Sequence, residues 1–565
     1  MKKDVFAVEI IQDSLLAIGD EMFVALARSS MSPVIYEVLD YACGLTDAKG
    51  NLISQGNGVT SFIGMLSPMV QRVIEKFKNG EDLHEGDVII INDPYVGGGS
   101  HLSDVGLVLP IFHNGEIIAY SANKAHWTEV GGMDPGSFTS NSNEIYQEGL
   151  QLPGVKLYRK GELNEAIYEI ISTNVRLPEL SIGDMFAQVA ALKTGEKRII
   201  ELCQKFGAES VKLSIEKLLD KGEKIVELEL QQLPKGEFYA EDFIEGDPLK
   251  GGPYPIKVKV TINDEKFICD FRGSHPAVYV PVNCSKFGLM ASVRVMFLAL
   301  LGDIDVINEG VFKRLTIITD ENSIVSAKRP HPVSMNFEAR IGAADLIWKA
   351  LAPHLPERLS AGHLQSVCTF ILTGKNPDND ESFLIVEPSV GGWGASNDED
   401  GQSGQYCMGD GETYNLPVEI AETKYGIHID EYSLNCDGAG AGKFRGGIGV
   451  RRVYTVNHDG QKVSVNLGRH QFAPFGLNGG KGGSHNYLMI HKKDGTKLGP
   501  VGVLANYELQ KGDRIELVTA TGGGYGNPNE RSIQAIEKDL LNEYISLEAA
   551  EKQYGYNLGG DQRHK

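Results

Sequence analysis

The chain has 565 residues, 42% hydrophobic and 23% charged, with a formal net charge of -21. That composition describes a globular protein of several domain-sized parts and excludes a largely disordered or low-complexity chain. The acidic balance excludes a nucleic-acid backbone as partner, because that needs clustered Lys and Arg, and it disfavours adsorption to anionic membranes.

Seven cysteines are scattered along the chain with no C-x-x-C pair. An odd, dispersed set argues against a disulfide framework and against a cysteine-rich zinc module. The first residues lack a clean signal-peptide core and no run of 18 apolar residues occurs, so the expected location is cytoplasmic, with no membrane span.

Residues 4–29 place Val8, Ile11, Leu15, Ile18, Met22 and Leu26 three to four apart. This spacing predicts one amphipathic helix that ends before Pro33. A hairpin follows, with strands at 41–46 and 52–54, and Glu37 and Asp40 stand just before its first strand. A helix over 64–79 and a buried strand over 87–92 come next.

The chemistry is concentrated in 92–132, NDPYVGGGSHLSDVGLVLPIFHNGEIIAYSANKAHWTEVGG. His101 and Asp104, at i and i+3, precede an expected strand at 105–112. A second strand at 117–122 returns about His113-Asn114-Gly115-Glu116, a hairpin with an Asn-Gly turn. Pairing brings His126 back to the sheet end that holds His101 and Asp104. Two imidazoles and a carboxylate gathered there suit a divalent metal. The plainer reading makes His101 a strand cap and Asp104 a turn acceptor. The Gly-, Ser- and Asn-rich loop 131–143 reads either as a lid over this end or as ordinary surface.

Residues 181–230 read as three helical segments, broken near Thr194-Gly195 and Gly207-Ala208, forming a spacer or dimer-facing layer. From about residue 236 short alternating strands dominate, interrupted by helices at 283–302 and 337–351. Three glycine clusters follow, at 391–405, 436–450 and 519–528. Gly442-Lys443 resembles the tail of a P-loop, but Asp437 stands at the required first glycine and Phe444 at the Ser/Thr position. Gly438-Ala439-Gly440 lacks the third glycine of a dinucleotide fingerprint. The clusters then serve as turns at strand ends or as anion nests. Two short helices around Ser546 close the chain. The expected fold is mixed α/β (α+β), divided as an N-terminal α/β metal-site region (1–180), a helical block (181–235), a β-rich region with glycine-rich loops (236–530) and C-terminal helices (531–565).

NDPYVGGGSHLSD with AHWTEVGG resembles the signature of the hydantoinase B / oxoprolinase family. DFRGSHPAVYVPVNC, SAKRPHPVS, VEPSVGGWGASNDEDGQSG, NLPVEIAE, DGAGAGKFRGGIGV and TATGGGYGNPNERS resemble further family blocks, in the family's order. That family includes the B-type component of N-methylhydantoinase, the C-terminal half of 5-oxoprolinase, caprolactamase and the metal-bearing subunit of acetone carboxylase. The resemblance implies a metal site of His101, Asp104 and His126, which carry the catalysis, with Asp40 as the matching early carboxylate and Glu37 as the weaker match. Mn, Zn or Fe all suit these ligands.

The resemblance further implies a separate A-type subunit, similar to the actin and sugar-kinase ATPases, that binds ATP and phosphorylates a lactam or ketone oxygen. The B-type subunit then completes the reaction by metal-assisted attack of water or bicarbonate, and the expected assembly is A2B2. The chain departs from the family at 436–442, where CDGAGAG replaces a more usual Ser-Gly-Gly pattern. Its length favours an ATP-dependent cyclic-amide hydrolase over the alternative, a ketone carboxylase subunit. A non-catalytic scaffold that docks the ATPase is the reading from a different class.

Overall fold

The computed structural model describes residues 5–247, 250–376, 378–411 and 413–557. The last residues of the 531–565 part, 558–565, lie outside the described residues. The chain is mixed α/β and forms two compact units. One is built from Met1–Tyr239, Lys257–Ala344 and Gly409–Tyr414, the other from Ala240–Ile256, Asp345–Met408 and Asn415–Lys565. Among the described residues, no helix is long and apolar enough to cross a membrane. Among the described residues, the seven cysteines form no disulfide.

The first unit begins with helix α1 (Val5–Ser29), whose apolar stripe Ile11, Leu15, Ile18, Met22 and Leu26 is buried as the spacing predicts. After the short α2 (Pro33–Tyr36) come strands β1 (Tyr41–Asp47) and β2 (Leu52–Gln55), then α3 (Thr60–Lys76), which starts four residues ahead of its expected bound. Strands β3 (Val88–Ile91), β4 (Asp104–His113), β5 (Glu116–His126), β6 (Pro153–Arg159) and β7 (Glu162–Leu163) complete an antiparallel sheet ordered β2-β1-β5-β4-β3-β6-β7. Helices α4 (Glu165–Asn174), α5 (Pro178–Phe206) and α6 (Ala208–Gln232) follow.

Both faces of this sheet are covered. Along β4, Val105, Leu107, Leu109 and Ile111 pack with α1 and α5. Val108 faces the opposite cluster with Leu66, Met69 and Val70 of α3. The period of two, buried on both sides, explains why the strand reads as an almost unbroken apolar run.

The helical block differs from expectation in one respect. α5 runs unbroken through Thr194-Gly195, and only Gly207 interrupts the block. A β-carbon on Gly195 would lie 2.7 Å from Met22 Sδ and 2.7 Å from Ser121 Oγ. The glycine lets α5 approach α1 and β5 closely instead of ending a helix. Gly195→Ala is expected to cost about 1–3 kcal/mol by overpacking, read from denaturant unfolding. An unchanged midpoint would show that Met22 simply turns aside.

A smaller four-stranded sheet, ordered β11-β10-β9-β8, uses β8 (Gly236–Ile244), β9 (Tyr254–Ile262), β10 (Phe267–Asp270) and β11 (Leu315–Ile318). Helices α7 (Lys286–Leu301) and α8 (Glu309–Phe312) lie before β11 in the chain, and α9 (Phe337–Leu351) follows it. The observed bounds of α9 coincide with the expected 337–351.

The second unit holds two antiparallel sheets. One is ordered β13-β12-β16-β19 and the other β14-β15-β20-β17-β18. Their strands are β12 (Thr369–Lys375), β13 (Ser382–Glu387), β14 (Ile427–Asn435), β15 (Gly449–Val456), β16 (Gln461–Asn466), β17 (Tyr487–His491), β18 (Lys497–Val501), β19 (Val503–Leu509) and β20 (Arg514–Val518), with helix α10 at Val418–Lys424. Helices α11 (Ile533–Leu541) and α12 (Leu547–Tyr554) end it, and Ser546 caps α12 by accepting the Ala549 N–H.

The glycine clusters adjoin strand ends, as at Gly449 and after Val518, but most of their glycines serve another purpose. They lie against one another, main chain to main chain. Gly522 donates to Gly447 O at 2.8 Å, Gly447 to Trp393 O at 2.7 Å and Gly440 to Gly522 O at 3.0 Å. Most have no positive φ, and a β-carbon on Gly522, Gly447 or Gly394 would fall within 2 Å of another segment's carbonyl oxygen. Proximity of backbones, rather than turn conformation, is what requires glycine here.

Candidate metal centre

The hairpin β4–β5 sets the geometry. Its tip is the expected two-residue turn, with φ of 53° at Asn114 and 81° at Gly115, the conformation that matches the twist of the flanking strands. From that register Asp104, the first residue of β4, faces His126, the last of β5. Both expected strands are longer than their apolar runs, and the extra residues carry the site.

His101 arrives from the preceding glycine-rich turn. Asn92 holds that turn through its side chain, donating to Leu102 O at 2.7 Å and Leu150 O at 2.9 Å and accepting the Leu152 N–H at 2.7 Å. Gly97 supplies a φ of 90°, and Gly99 lies where a β-carbon would be 2.6 Å from His101 O. As a result His101 Nε2 is 3.2 Å from Asp104 Oδ1, and the ligand atoms of His101, Asp104 and His126 lie within 4.8 Å of one another. All three residues are buried.

Asp104 is oriented before any ligand arrives. Its Oδ2 accepts from Ser100 N at 2.9 Å and Ser100 Oγ at 2.5 Å, so Oδ1 is the oxygen that faces the imidazoles. Burial alone would raise its carboxyl, but His101, with further help from His126 and Lys124, holds it well below the usual carboxylate range. Burial, reinforced by His101, pushes His126 down to about 3, so its ring is neutral and able to ligate. Lys124, buried on β5, donates to Gly98 O at 2.7 Å, and burial pushes it down to about 8.

The residues fit a metal on grounds of this structure. His101 Nδ1 and both ring nitrogens of His126 are buried without a hydrogen-bond partner, and Asp104 Oδ1 has only the 3.2 Å contact with His101 Nε2. Buried polar atoms are normally satisfied, and an imidazole with neither nitrogen paired is costly. A cation on two nitrogens and one oxygen would satisfy them, and Mn, Fe and Zn all accept that donor set.

Asp40 lies at the same sheet end, where its carbonyl accepts the His126 N–H at 3.0 Å. Burial, then the charges of Asp104 and Asp410, raise its carboxyl well above the usual range, against the opposing pull of Arg340. It is a neighbour of the triad and stands outside the three-residue cluster. Glu37, at the C-terminal end of α2, also lies outside that cluster.

Several residues of the site carried no signal in the sequence. Phe138, from the loop 131–143, stacks on His126 with centroids 5.1 Å apart and planes 12° from parallel, and lies 4.8 Å from the His101 ring. Phe337 lies 5.9 Å from His101 and 5.7 Å from Phe138. Of the two readings of the loop, the structure supports a cover over the histidines, one that is tied down. Glu148 accepts from Ser142 Oγ at 2.7 Å and from the N–H groups of Val333 and Ser334, and Ser334 Oγ donates to Thr139 O at 2.6 Å. Burial pushes the Glu148 carboxyl up to about 7.

A family model described as hydantoinase B/oxoprolinase matches residues 4–528. The B-type component of a putative D-/L-hydantoinase from Pseudomonas sp. (strain NS671) is 32% identical, covering 99% of this chain and 96% of its own. The beta subunit of caprolactamase from Pseudomonas jessenii is 30% identical, covering 99% and 97%. The crystal structure of ATP-dependent caprolactamase from Pseudomonas jessenii matches with a TM-score of 0.91 at 27% identity, over 99% of this chain and 97% of that one.

Proposed function

Because the chain belongs to the hydantoinase B/oxoprolinase family, we propose that it is the metal-bearing B-type subunit of an ATP-dependent cyclic-amide hydrolase. Its substrate is a hydantoin, 5-oxoproline or another lactam, phosphorylated on the amide oxygen by an A-type ATPase subunit within an A2B2 assembly. The observation that carries this reading is the pair of unpartnered ring nitrogens on buried His126, beside His101 and Asp104.

His101, Asp104 and His126 would hold a divalent ion, with Asp40 at the same sheet end as the candidate for a further carboxylate. Bound there, such an ion supplies Lewis acidity and a nucleophile at neutral pH. The chain's own residues do the positioning. Ser100 fixes Asp104. Phe138 and Phe337 cover the imidazoles, which keeps water from competing on that side. In the reaction water adds to the acyl carbon, and the ring C–N bond breaks as the nitrogen takes a proton. The acyl phosphate so formed gives carboxylate and inorganic phosphate when a second water hydrolyses it.

The test is elemental analysis of wild-type and His101→Ala protein, followed by reconstitution with an A-type subunit on a lactam panel. A stoichiometric divalent ion in the wild type, lost in the variant together with ring opening, is the expected result. Full turnover by a metal-free variant, or a wild type that takes up no ion, would overturn the reading.

A further inference from the structure

Two more buried polar side chains of the first unit carry atoms without hydrogen-bond partners. Asn336 is 0% exposed, and neither its Oδ1 nor its Nδ2 makes a hydrogen bond. Arg340, 4% exposed, reaches Asp410 with NH2 at 3.4 Å, while its Nε and NH1 have no acceptor.

The two residues are one helical turn apart. Asn336 immediately precedes α9, and its carbonyl accepts the Arg340 N–H at 3.0 Å. Side chains at i and i+4 lie on the same face of a helix. Between them sits Phe337, whose ring is 5.9 Å from that of His101 and 6.0 Å from the Arg340 guanidinium. Arg340 also acts electrostatically on Asp40. Arg340 therefore borders the triad on the side that Phe337 shares with it, and Asn336 stands one turn before Arg340.

An amide with both ends unsatisfied, next to a guanidinium with unused N–H groups, is expensive in a closed core and ordinary in a binding site. The donor and acceptor inventory is informative. Arg340 offers only donors and a permanent positive charge, which suits a phosphoryl oxygen. Asn336 offers Nδ2–H donors, which suit the lone pair of an imidate ring nitrogen. A lactam phosphorylated on its oxygen presents both groups on neighbouring atoms.

We propose that Asn336 and Arg340 bind the phosphorylated cyclic amide, Arg340 taking a phosphoryl oxygen and Asn336 the ring nitrogen edge. The assignment rests on the function proposed above and gives the substrate a fixed orientation against the triad.

The test uses the full-length, metal-loaded chain with its A-type partner and two variants, Asn336→Ala and Arg340→Lys. The lysine keeps a cation for Asp410 and loses the extra N–H groups, so it guards against simple misfolding. Metal content and melting temperature are expected to match wild type. The value of kcat/KM for the lactam should fall about 10- to 100-fold in each, the loss of a hydrogen bond to substrate, with Asn336→Ala acting mainly through KM. Calorimetric titration with inorganic phosphate gives a readout independent of turnover, and Arg340→Lys is expected to weaken it about tenfold. Wild-type turnover with both variants within about twofold of it overturns this assignment alone. No ring opening of any lactam by the assembled wild type overturns the underlying function and this assignment with it.

Discussion

Gly522→Ala is expected to yield no folded protein. Its new β-carbon would lie 1.8 Å from Trp393 O and 2.2 Å from the carbon of the same carbonyl. Both obstacles are main chain, so no rotamer change relieves them. Neighbouring segments cannot yield, because a β-carbon on Gly446 would meet Gly522 O at 2.0 Å and one on Gly447 would meet Gln402 O at 1.9 Å. Overpacking against side chains costs about 1–3 kcal/mol. Displacing several interlocked backbones belongs with the exceptional losses above about 4–5 kcal/mol, a large part of a typical domain's stability. Gly460→Ala is the control. That glycine has a φ of 80° and open space around it, so the substitution pays only a conformational penalty of about 1–2 kcal/mol. Soluble yield and thermal unfolding compare the two. Equal melting temperatures would show that the close approach is not what demands glycine.

His126→Leu is expected to move activity and stability in opposite directions. In chelator-treated protein the leucine removes two buried, unpartnered ring nitrogens. Relief of about 1–3 kcal/mol is expected from that, less about 0.5–1.5 kcal/mol for the lost stacking on Phe138. The metal-free variant should therefore melt at or above the metal-free wild type. With metal added the order reverses, because an ion that binds only the folded wild type stabilises it by mass action. Turnover with the ATPase partner should fall by about three orders of magnitude or more, since metal assistance supplies several kcal/mol of barrier lowering. A variant that keeps its activity, or that is destabilised equally with and without metal, rules out His126 as a ligand.

The parts of the fold that were readable in the sequence are those specified by neighbours along the chain. The stripe on α1 and the extent of α9 follow from a helical period. The β4–β5 hairpin follows from Asn114-Gly115 between two apolar runs, and its register then dictates that Asp104 and His126 meet. That is why three residues of the site could be named from spacing. Asp40 reached the same end of the sheet only through the family resemblance, since nothing in the local pattern pairs β1 with β5.

What escaped the sequence depends on distant partners. Phe138 covers the histidines because Glu148 and Thr139 are tied to Val333 and Ser334, almost two hundred positions away. No periodicity records such a link. The same limit explains the glycines. Gly195 reads locally as a break, and the clusters at 391–405, 436–450 and 519–528 read locally as turns. Gly195 and most of the clustered glycines are instead required by a neighbour from another part of the chain.

The length of the hairpin separates its two ends functionally. β4 has ten residues, so Asn114 and Gly115 lie about 30 Å from Asp104. Both tip residues are exposed, and the nearby surface ion pair between Glu116 and Lys212, at 2.8 Å, is the local contact at risk. Residues added between Asn114 and Gly115 leave the pairing of the strands below untouched. Deleting one residue within either strand would turn a ligand to the other face of the sheet. The tip is therefore an address for a fluorophore, an affinity handle or a surface tether that reports on the protein without touching His101, Asp104 or His126.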